Sequence, residues 1–305
     1  MANEIKVSFL RELKERFGRL SKLGKSQSLY ELGNGAARIY IRYSKVHERG
    51  QTFYGLRKED LQQLEGHPSL MCFIWDNQTE PLFLPYADYE DVFKSTTPAS
   101  DGQYKVQVYI QDAGNELYIA NAGRFNVESY FGWQQLASLM EKAKLTDMPS
   151  LSHAQVQTLL GKIGFVKGFD IWIPRYDRGR LDWSLTQPFA STLAIPHQFQ
   201  SIENVLSEID VIWIERGSGK LRSLFEVEHS TPIYSGLLRF NDVHLTTSNT
   251  NATYNIVSND DRRGLFSSQL NRPTFRASGL DVCCAFMEYA NVFIWHKRIS
   301  ELGRD

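Results

Sequence analysis

Three acidic residues have the types and the spacing that metal-dependent chemistry needs. Glu226 and Glu228 alternate with apolar residues in one β-type segment, and Asp210 stands just before another. The Gly-rich turn at residues 216–220 separates the two segments, a pattern that predicts a β-hairpin. Because side chains alternate along a strand, Glu226 and Glu228 share one face, and Asp210 supplies a third carboxylate from the neighbouring strand. Such carboxylates repel each other unless a cation or a proton compensates them, and their oxygens suit Mg²⁺.

The acidic hairpin resembles the active-site motif of the PD-(D/E)XK nuclease superfamily, in the Glu-x-Glu variant of some type II restriction endonucleases. Asp210 matches the first acidic position, Glu226 the second, and Glu228 the position that Lys usually occupies. Ile209 stands where the family name places Pro. The helix expected over residues 233–240 is similar to the helix that follows the motif, in which a polar residue faces the site.

The resemblance covers roughly residues 150–290 and implies a Mg²⁺-dependent nuclease. Asp210 and Glu226 would hold the ion, with the Val227 carbonyl assisting. Glu228 would position or deprotonate the attacking water, the task that Lys often performs in related enzymes.

Three further residues are candidate accessory groups: Glu203, His229 and Arg239. Glu203 precedes the hairpin on an expected helix, where an acidic residue in several related nucleases adds a metal ligand or orients a water. An exposed Glu that stabilises the start of the helix is the alternative. His229 follows Glu228 and is either a general acid or base or a residue that packs or caps the strand end. Arg239 is the polar residue of the following helix.

The expected elements divide the chain into an N-terminal mixed α+β domain, residues 1–145, and a C-terminal domain, residues 150–305. The resemblance implies for the second domain an α/β nuclease core, with a central mixed sheet flanked by helices. The segment 145–152 is the candidate linker. In the first domain, an alternating strand over residues 37–47 is expected to pair back with a strand over residues 52–56.

The densest basic and aromatic stretch lies in the N-terminal domain. Residues 1–60 hold thirteen Lys and Arg against seven Asp and Glu, although the net charge of the chain is −1. The candidate DNA-contacting residues here are Arg38, Arg42, Lys45, Arg49, Arg57 and Lys58. They would contact phosphates while interleaved Tyr and Phe rings lie against sugars or an extruded base. A solvated sheet face is the alternative. Arg175 and Arg178 are two further candidates, for which a charged turn is the alternative.

Composition restricts the class of protein. The chain has 305 residues, of which 42% are hydrophobic and 23% charged, as in ordinary globular proteins. No apolar run approaches the length of a bilayer span, and the N-terminal stretch lacks the apolar core of a signal peptide. Three cysteines without metal-ligand spacing fit a cytoplasmic protein with reduced thiols. The segment 217–220 lacks the first Gly of a phosphate-binding loop and joins two strands, so no nucleotide cofactor is expected.

These features and the resemblance together predict a Mg²⁺-dependent endonuclease that hydrolyses DNA, most similar to a type II restriction endonuclease in bacterial defence against foreign DNA. Its expected partner is double-stranded DNA, and a palindromic target would favour a homodimer. A monomer that reads a modified base is left open, as is a modification-dependent enzyme. The same residues are also compatible with a repair or recombination nuclease of the same fold and with a non-catalytic DNA-binding or scaffold protein.

Overall fold

A computed structural model of the protein describes residues 2–24, 26–33, 35–48, 50–111, 114–145, 149–229, 232–247 and 252–302. The chain forms two compact units, residues 1–146 and residues 147–305, each with its own apolar clusters. Among the helices described in these ranges, none combines the length and the apolar character that a membrane span requires.

The N-terminal unit combines two sheets with helices. Its helices are α1 (Ala2–Phe17), α2 (Lys58–Gln62), α3 (Tyr86–Ser95) and α4 (Gln134–Leu145), with a 3₁₀ turn at Glu128–Tyr130. Its strands are β1 (Leu20–Lys22), β2 (Leu29–Leu32), β3 (Ala37–Ser44), β4 (Gln51–Arg57), β5 (Ser69–Trp75), β6 (Leu82–Pro85), β7 (Gln103–Tyr109), β8 (Glu116–Ile119) and β9 (Gly123–Asn126). The first sheet has the strand order β1-β2-β3-β5-β6, and the second has the order β4-β7-β8-β9.

The first sheet of this unit is covered on both faces. On one face α1 and α4 pack through Leu13 and Leu136 against strand residues such as Ile39. On the other face Tyr40 and its neighbours share a cluster with the second sheet, which contributes Val106 and other apolar side chains. Both faces of such a strand are removed from solvent, and the first five residues of β3 are all buried.

The expected hairpin between residues 37–47 and 52–56 is wrong. β3 pairs in parallel with β5, and β4 pairs antiparallel with β7, so the two segments belong to different sheets. An isolated bridge between His47 and Gln51 is the local contact at the turn. The residues of β4 alternate between buried and more exposed positions, a pattern that suits either pairing and therefore does not select the partner strand.

The C-terminal unit combines one sheet with helices. Its helices are α5 (His153–Val166), α6 (Glu203–Leu206), α7 (Ile233–Thr246), α8 (Arg263–Leu270), α9 (Pro273–Ser278), α10 (Leu280–Cys283) and α11 (Tyr289–Leu302), with 3₁₀ turns at Trp183–Leu185, His197–Ile202 and Asp260–Arg262. Its strands are β10 (Asp170–Trp172), β11 (Val211–Ile214), β12 (Leu221–Val227), β13 (Thr253–Ser258) and β14 (Cys284–Glu288).

This C-terminal sheet has the order β10-β11-β12-β13-β14 and is mixed. β10, β11 and β12 are antiparallel, as the predicted hairpin requires, whereas β12, β13 and β14 are parallel. Helices α7, α8 and α9 pack on one face around Phe240 and Ile256. Helices α5 and α11 pack on the other around Phe225 and Trp295. The prediction of an α/β protein with a mixed sheet flanked by helices is confirmed at this level.

Helix α5 begins with a reciprocal cap and lies close to the sheet. The Gln155 N–H donates to Ser152 Oγ at 3.2 Å, and the Ser152 N–H donates to Gln155 Oε1 at 2.9 Å. Further along the helix, a Cβ on Gly164 would lie 2.4 Å from Trp213 Nε1. The indole N–H of Trp213 in turn donates to the Leu160 carbonyl at 3.0 Å. The helix is therefore fixed both at its start and against β11.

Candidate active site

The three predicted acidic residues meet at one edge of the C-terminal sheet, where the parallel strands β12, β13 and β14 end. Glu226 lies within β12 and Glu228 directly follows this strand. Asp210 directly precedes β11, the antiparallel neighbour of β12. The Val227 N–H donates a hydrogen bond of 2.6 Å to Asp210 Oδ2, which holds Asp210 beside the strand that carries the glutamates. The fold therefore brings these three residues to the same edge of the sheet.

Two of the three carboxylates at this edge are deeply buried, and the third is half-buried. Glu226 is 1% exposed and Glu228 2%, and the side chain of Asp210 is 15% exposed. Loss of hydration raises the pKa of Asp210 to about 7, which the Val227 N–H opposes and the charge of Glu228 increases. Burial also raises the pKa of Glu226 to about 8, and the nearby charges of Asp210 and Glu228 add to the rise. Near neutral pH the site therefore favours binding a proton or a cation.

Arg239, on α7, supplies a cation to this cluster. Its Nε lies 2.7 Å from Glu226 Oε1 and its Nη2 lies 2.8 Å from Glu226 Oε2, a bidentate pair. Its hydrogen bonds to Glu226 raise the pKa of Arg239 above its ordinary value. Arg239 Nη1 also lies 4.0 Å from Glu208 Oε2, on a side chain that is 69% exposed. The guanidinium thus compensates one buried glutamate and has a second carboxylate within reach.

Helix α5 positions Asp210 from the other side. Gln157 is 2% exposed, and its Nε2 donates to the Asp210 carbonyl at 3.0 Å and to Asp177 Oδ2 at 3.3 Å. His153 lies one turn earlier, with its Nε2 3.6 Å from Asp210 Oδ1. Both the main chain and the side chain of Asp210 are therefore in contact with this helix.

The main chain at the end of β12 is held by its neighbours. The Glu228 carbonyl accepts hydrogen bonds from Ser258 Oγ and, at 3.0 Å, from Arg262 Nη1. Gly236 of α7 faces the same residues: a Cβ there would lie 3.0 Å from Glu228 Oε1 and 3.2 Å from Glu226 Cβ. Because Gly236 has no side chain, the two glutamates can occupy this space.

Two aromatic residues border the same edge. Tyr289 begins α11 directly after β14 and is 3% exposed. The exposed ring of His229 stacks on it, with centroids 6.2 Å apart and planes at 11°. His229 thus makes a packing contact, which was one of the two roles that its position in the sequence allowed.

The donor chemistry of the edge suits a hard divalent cation, since Asp210, Glu226 and Glu228 all offer carboxylate oxygens. Glu226 already binds a positive group, the guanidinium of Arg239. In the arrangement shown, no three Asp, Glu, His or Cys side chains of the described residues are grouped as a metal site would need. An ion bound by Asp210 and Glu226 would take the place of the guanidinium at Glu226.

Of the six basic residues predicted to contact DNA in the N-terminal unit, the five that the structure describes do not share an exposed face. Arg38 is 3% exposed and its Nη1 donates to the Gln63 carbonyl. Arg42 is half-buried, with its Nη1 3.3 Å from Ser28 Oγ. The second sheet covers the face of β3 that carries Tyr40, so the expected open face of this strand is corrected to a packed one. The exposed members of the set are Lys45, Arg57 and Lys58. Arg49 lies outside the described residues.

The remaining predicted residues lie in the C-terminal unit. Arg175 is exposed. Arg178 is half-buried: its Nε donates to the Ile173 carbonyl at 3.0 Å, and its guanidinium lies 4.9 Å from the centroid of the Trp172 ring. Glu203 is exposed at the first residue of α6. Of the candidate accessory groups, Arg239 is the one that bonds directly to a predicted catalytic residue.

Four residues near this edge were not predicted from the sequence: His153, Gln157, Gly236 and Tyr289. His153 and Gln157 are four residues apart on α5, and this spacing places them on one side of the helix. Gly236 lies inside a helix, where Gly costs about 1 kcal/mol relative to Ala, so a close neighbour was indicated. Tyr289 follows an apolar strand and has no distinguishing sequence signal.

Comparison with known proteins identifies the family. Residues 135–297, just over half of the chain and a range that includes Asp210, Glu226 and Glu228, match the family described as type II restriction enzyme NmeDI C-terminal domain. The type II restriction enzyme NmeDI of Neisseria meningitidis serogroup C is 33% identical over 134 residues. This match covers 41% of the chain and 37% of that relative, so the chain spans little more than a third of its length. No solved structure gives a significant match. The predicted relationship to type II restriction enzymes is thereby confirmed at the level of the family, and the chain belongs to the NmeDI C-terminal domain family.

Proposed function

We propose that this protein is a Mg²⁺-dependent type II restriction endonuclease that hydrolyses phosphodiester bonds of double-stranded foreign DNA. The observation that carries the proposal is the placement of buried Glu226 and Glu228 and half-buried Asp210 at the carboxyl edge of a mixed sheet, within the residues that match the NmeDI family. The helix-flanked sheet and the order of the acids along the chain also favour membership of the PD-(D/E)XK superfamily.

The roles of the residues follow from their positions. Asp210 and Glu226 would hold the ion with help from the Val227 carbonyl, because they are adjacent oxygen donors with raised pKa values. When bound, Mg²⁺ stabilises negative charge on the phosphate oxygens and lowers the pKa of a coordinated water. Glu228 orients the attacking water and accepts its proton. Its main chain is held for this task by Ser258 and Arg262.

The proposed substrate, double-stranded DNA, implies basic contact residues and, for a palindromic target, a second copy of the chain. Exposed Lys45, Arg57, Lys58 and Arg175 are the predicted basic residues with side chains available to DNA phosphates. The N-terminal unit would help to recognise the target. A palindromic target would be read by a homodimer, because its two half-sites are related by the same twofold symmetry as two identical subunits.

Cleavage of supercoiled plasmid and of phage genomic DNA in Mg²⁺, each methylated and unmethylated, tests the proposal. Asp210→Asn and Glu226→Gln should each slow cleavage by about a hundredfold or more, since each removes a charge that the reaction needs. Asp170→Asn is the matched control, because Asp170 is an exposed acid of the same sheet that pairs with Arg216 at 3.4 Å. Its cleavage rate should equal that of the wild type.

The cleavage pattern separates the kinds of nuclease. Discrete fragments with reproducible ends support a restriction enzyme. Cleavage confined to methylated DNA assigns a modification-dependent nuclease, and cleavage confined to branched or flapped DNA assigns a repair nuclease. If every DNA stays intact, or if the two site variants cut as fast as the wild type, the proposed function is wrong.

A further inference from the structure

The hydroxyl of Tyr289 is a buried polar group that the roles above do not use. The residue is 3% exposed, and its hydroxyl oxygen has no hydrogen-bond partner among the residues that the structure describes. Buried polar atoms in folded proteins nearly always have a partner, and leaving one without a partner costs free energy. Phenylalanine would fill nearly the same volume without that cost. The hydroxyl is therefore a candidate for a ligand that binds at this position.

Strand register places Tyr289 at the edge that carries the acids. β12, β13 and β14 are parallel, and Ser258 at the end of β13 is aligned with Glu288 at the end of β14. Ser258 also donates to the Glu228 carbonyl, so the ends of these strands lie side by side. Tyr289 is the next residue along the chain, and its ring stacks on His229, the residue after Glu228.

The acidic cluster acts on this hydroxyl electrostatically. Burial raises the pKa of Tyr289 well above its ordinary value, and the negative charges of Asp210 and Glu228 raise it further. The phenol therefore keeps its proton at any working pH of the enzyme. A protonated hydroxyl near two carboxylates can donate a hydrogen bond to an oxygen that lies between them.

We propose that Tyr289 positions the attacking water by donating a hydrogen bond from its hydroxyl to the oxygen of that water, an inference that rests on the proposed nuclease function. One lone pair of the water accepts this hydrogen bond and the other attacks phosphorus. The proton of the water passes to Glu228. The bond between phosphorus and the leaving sugar oxygen breaks, and that oxygen is protonated by solvent.

The variant Tyr289→Phe tests the role because it removes one oxygen atom and keeps the ring against His229. Tyr254→Phe is the matched control: Tyr254 is 1% exposed, belongs to the same sheet and packs against Phe240 of α7, with ring centroids 5.3 Å apart. Three quantities are measured for each protein. They are the single-turnover cleavage rate in Mg²⁺, the Kd in Ca²⁺ for the shortest plasmid fragment that the wild type cuts, and the melting temperature.

Tyr289→Phe should lower the single-turnover rate by about ten- to a hundredfold, the effect of losing one hydrogen bond to a reacting group. Its Kd for DNA in Ca²⁺ should match that of the wild type, and its melting temperature should be equal or higher, because Phe lacks the buried hydroxyl that has no partner among the described residues. Tyr254→Phe should keep the wild-type rate and Kd. A loss of rate without a change in Kd separates a positioning role from a structural one.

Two results would overturn the inference while leaving the nuclease function intact. An unchanged rate for Tyr289→Phe means that the ring only packs. A Kd that rises by the same factor as the rate falls means that the hydroxyl binds DNA and not the water. A wild-type protein that cuts no DNA rejects the nuclease function itself, and is recognised before any variant is compared.

Discussion

The two units of the chain contrast in how they use buried charge. In the N-terminal unit Arg38 is buried and its guanidinium donates to the Gln63 carbonyl, so the charge contributes to packing. In the C-terminal unit buried Glu226 and Glu228 lie at the same edge as half-buried Asp210, and the pKa values of Asp210 and Glu226 are raised. A charge with a fixed main-chain partner stabilises a fold, whereas several like charges at one edge favour the binding of a cation.

The apolar clusters on both faces of the C-terminal sheet offset the free-energy cost of placing these three carboxylates at one edge. Full burial of a large apolar side chain contributes about 1.5–3 kcal/mol, and the side chains around Phe240 and Phe225 supply many such contributions. Burying like charges without compensation costs several kcal/mol, which is large beside the net stability of a domain. Substitutions at the edge should therefore change stability in ways that depend on pH and on added cations.

The largest expected effect comes from Arg239→Gln, which leaves the buried Glu226 without its guanidinium. The free energy of unfolding of the metal-free protein should fall by about 3–5 kcal/mol at pH 9. The loss should be smaller at pH 6, because Glu226, with a pKa raised to about 8, is then protonated. Ca²⁺ should restore part of the stability at pH 9 by binding the folded state. Urea denaturation at both pH values, with and without Ca²⁺, measures these changes.

Arg38→Gln is the matched substitution in the other unit. It should also destabilise the protein, since it removes a buried guanidinium that bonds to the Gln63 carbonyl. Ca²⁺ should give no recovery beyond the effect that it has on the wild type. An equal recovery in both variants, or none in Arg239→Gln, would contradict the difference between the two units.

Asp210→Asn should change the pH dependence of stability. The pKa of Asp210 is about 7 in the folded protein against an ordinary value of 3.8. At a pH between these two pKa values the folded state therefore binds more protons than the unfolded state. The metal-free wild type therefore loses stability as pH rises through this window. Asn keeps an oxygen for the Val227 N–H and does not titrate. The free energy of unfolding of Asp210→Asn, relative to that of the wild type, should rise by about 2–3 kcal/mol between pH 5 and pH 8. Urea denaturation measures both free energies. If the difference between variant and wild type stays constant across this pH range, the raised pKa of Asp210 is wrong.

Gly236→Ala should have the smallest effect on stability. Ala favours a helix over Gly by about 1 kcal/mol, but its Cβ would lie 3.0 Å from Glu228 Oε1 and must displace that carboxylate. The two effects should nearly cancel in thermal unfolding, while calorimetric titration should show weaker Ca²⁺ binding. Gly264→Ala in α8, where the added Cβ has no neighbour within 4 Å among the described residues, should gain stability and bind Ca²⁺ as the wild type does. Similar Ca²⁺ affinities in the two variants would refute the link between Gly236 and the site.

The hairpin and its acids could be predicted from the sequence because the information is local. The two-residue period of a strand places Glu226 and Glu228 on one face, and the Gly-rich turn joins the two strands. Asp210 then lies beside β12 as a consequence of antiparallel pairing. The structure places these three residues as the sequence pattern requires.

The remaining contacts depend on segments that are distant in sequence. Arg38 alternates with apolar residues as an exposed residue would, but the second sheet, built from β4, β7, β8 and β9, covers that face. Tyr289 reaches the acidic edge only because β14 is parallel to β13, which no local pattern specifies. Pairing partners are set by tertiary packing, so local periodicity finds strands but not their neighbours.

The reciprocal cap at Ser152 and Gln155 has a consequence for engineering the protein. Its two hydrogen bonds begin the helix that carries His153 and Gln157, and the preceding Leu151 is buried in the same cluster as Val156. A chimaera that joins a foreign recognition module upstream of Leu151 would meet a helix whose first turn is already specified. The junction, and not the helix, would then be the place to vary linker length.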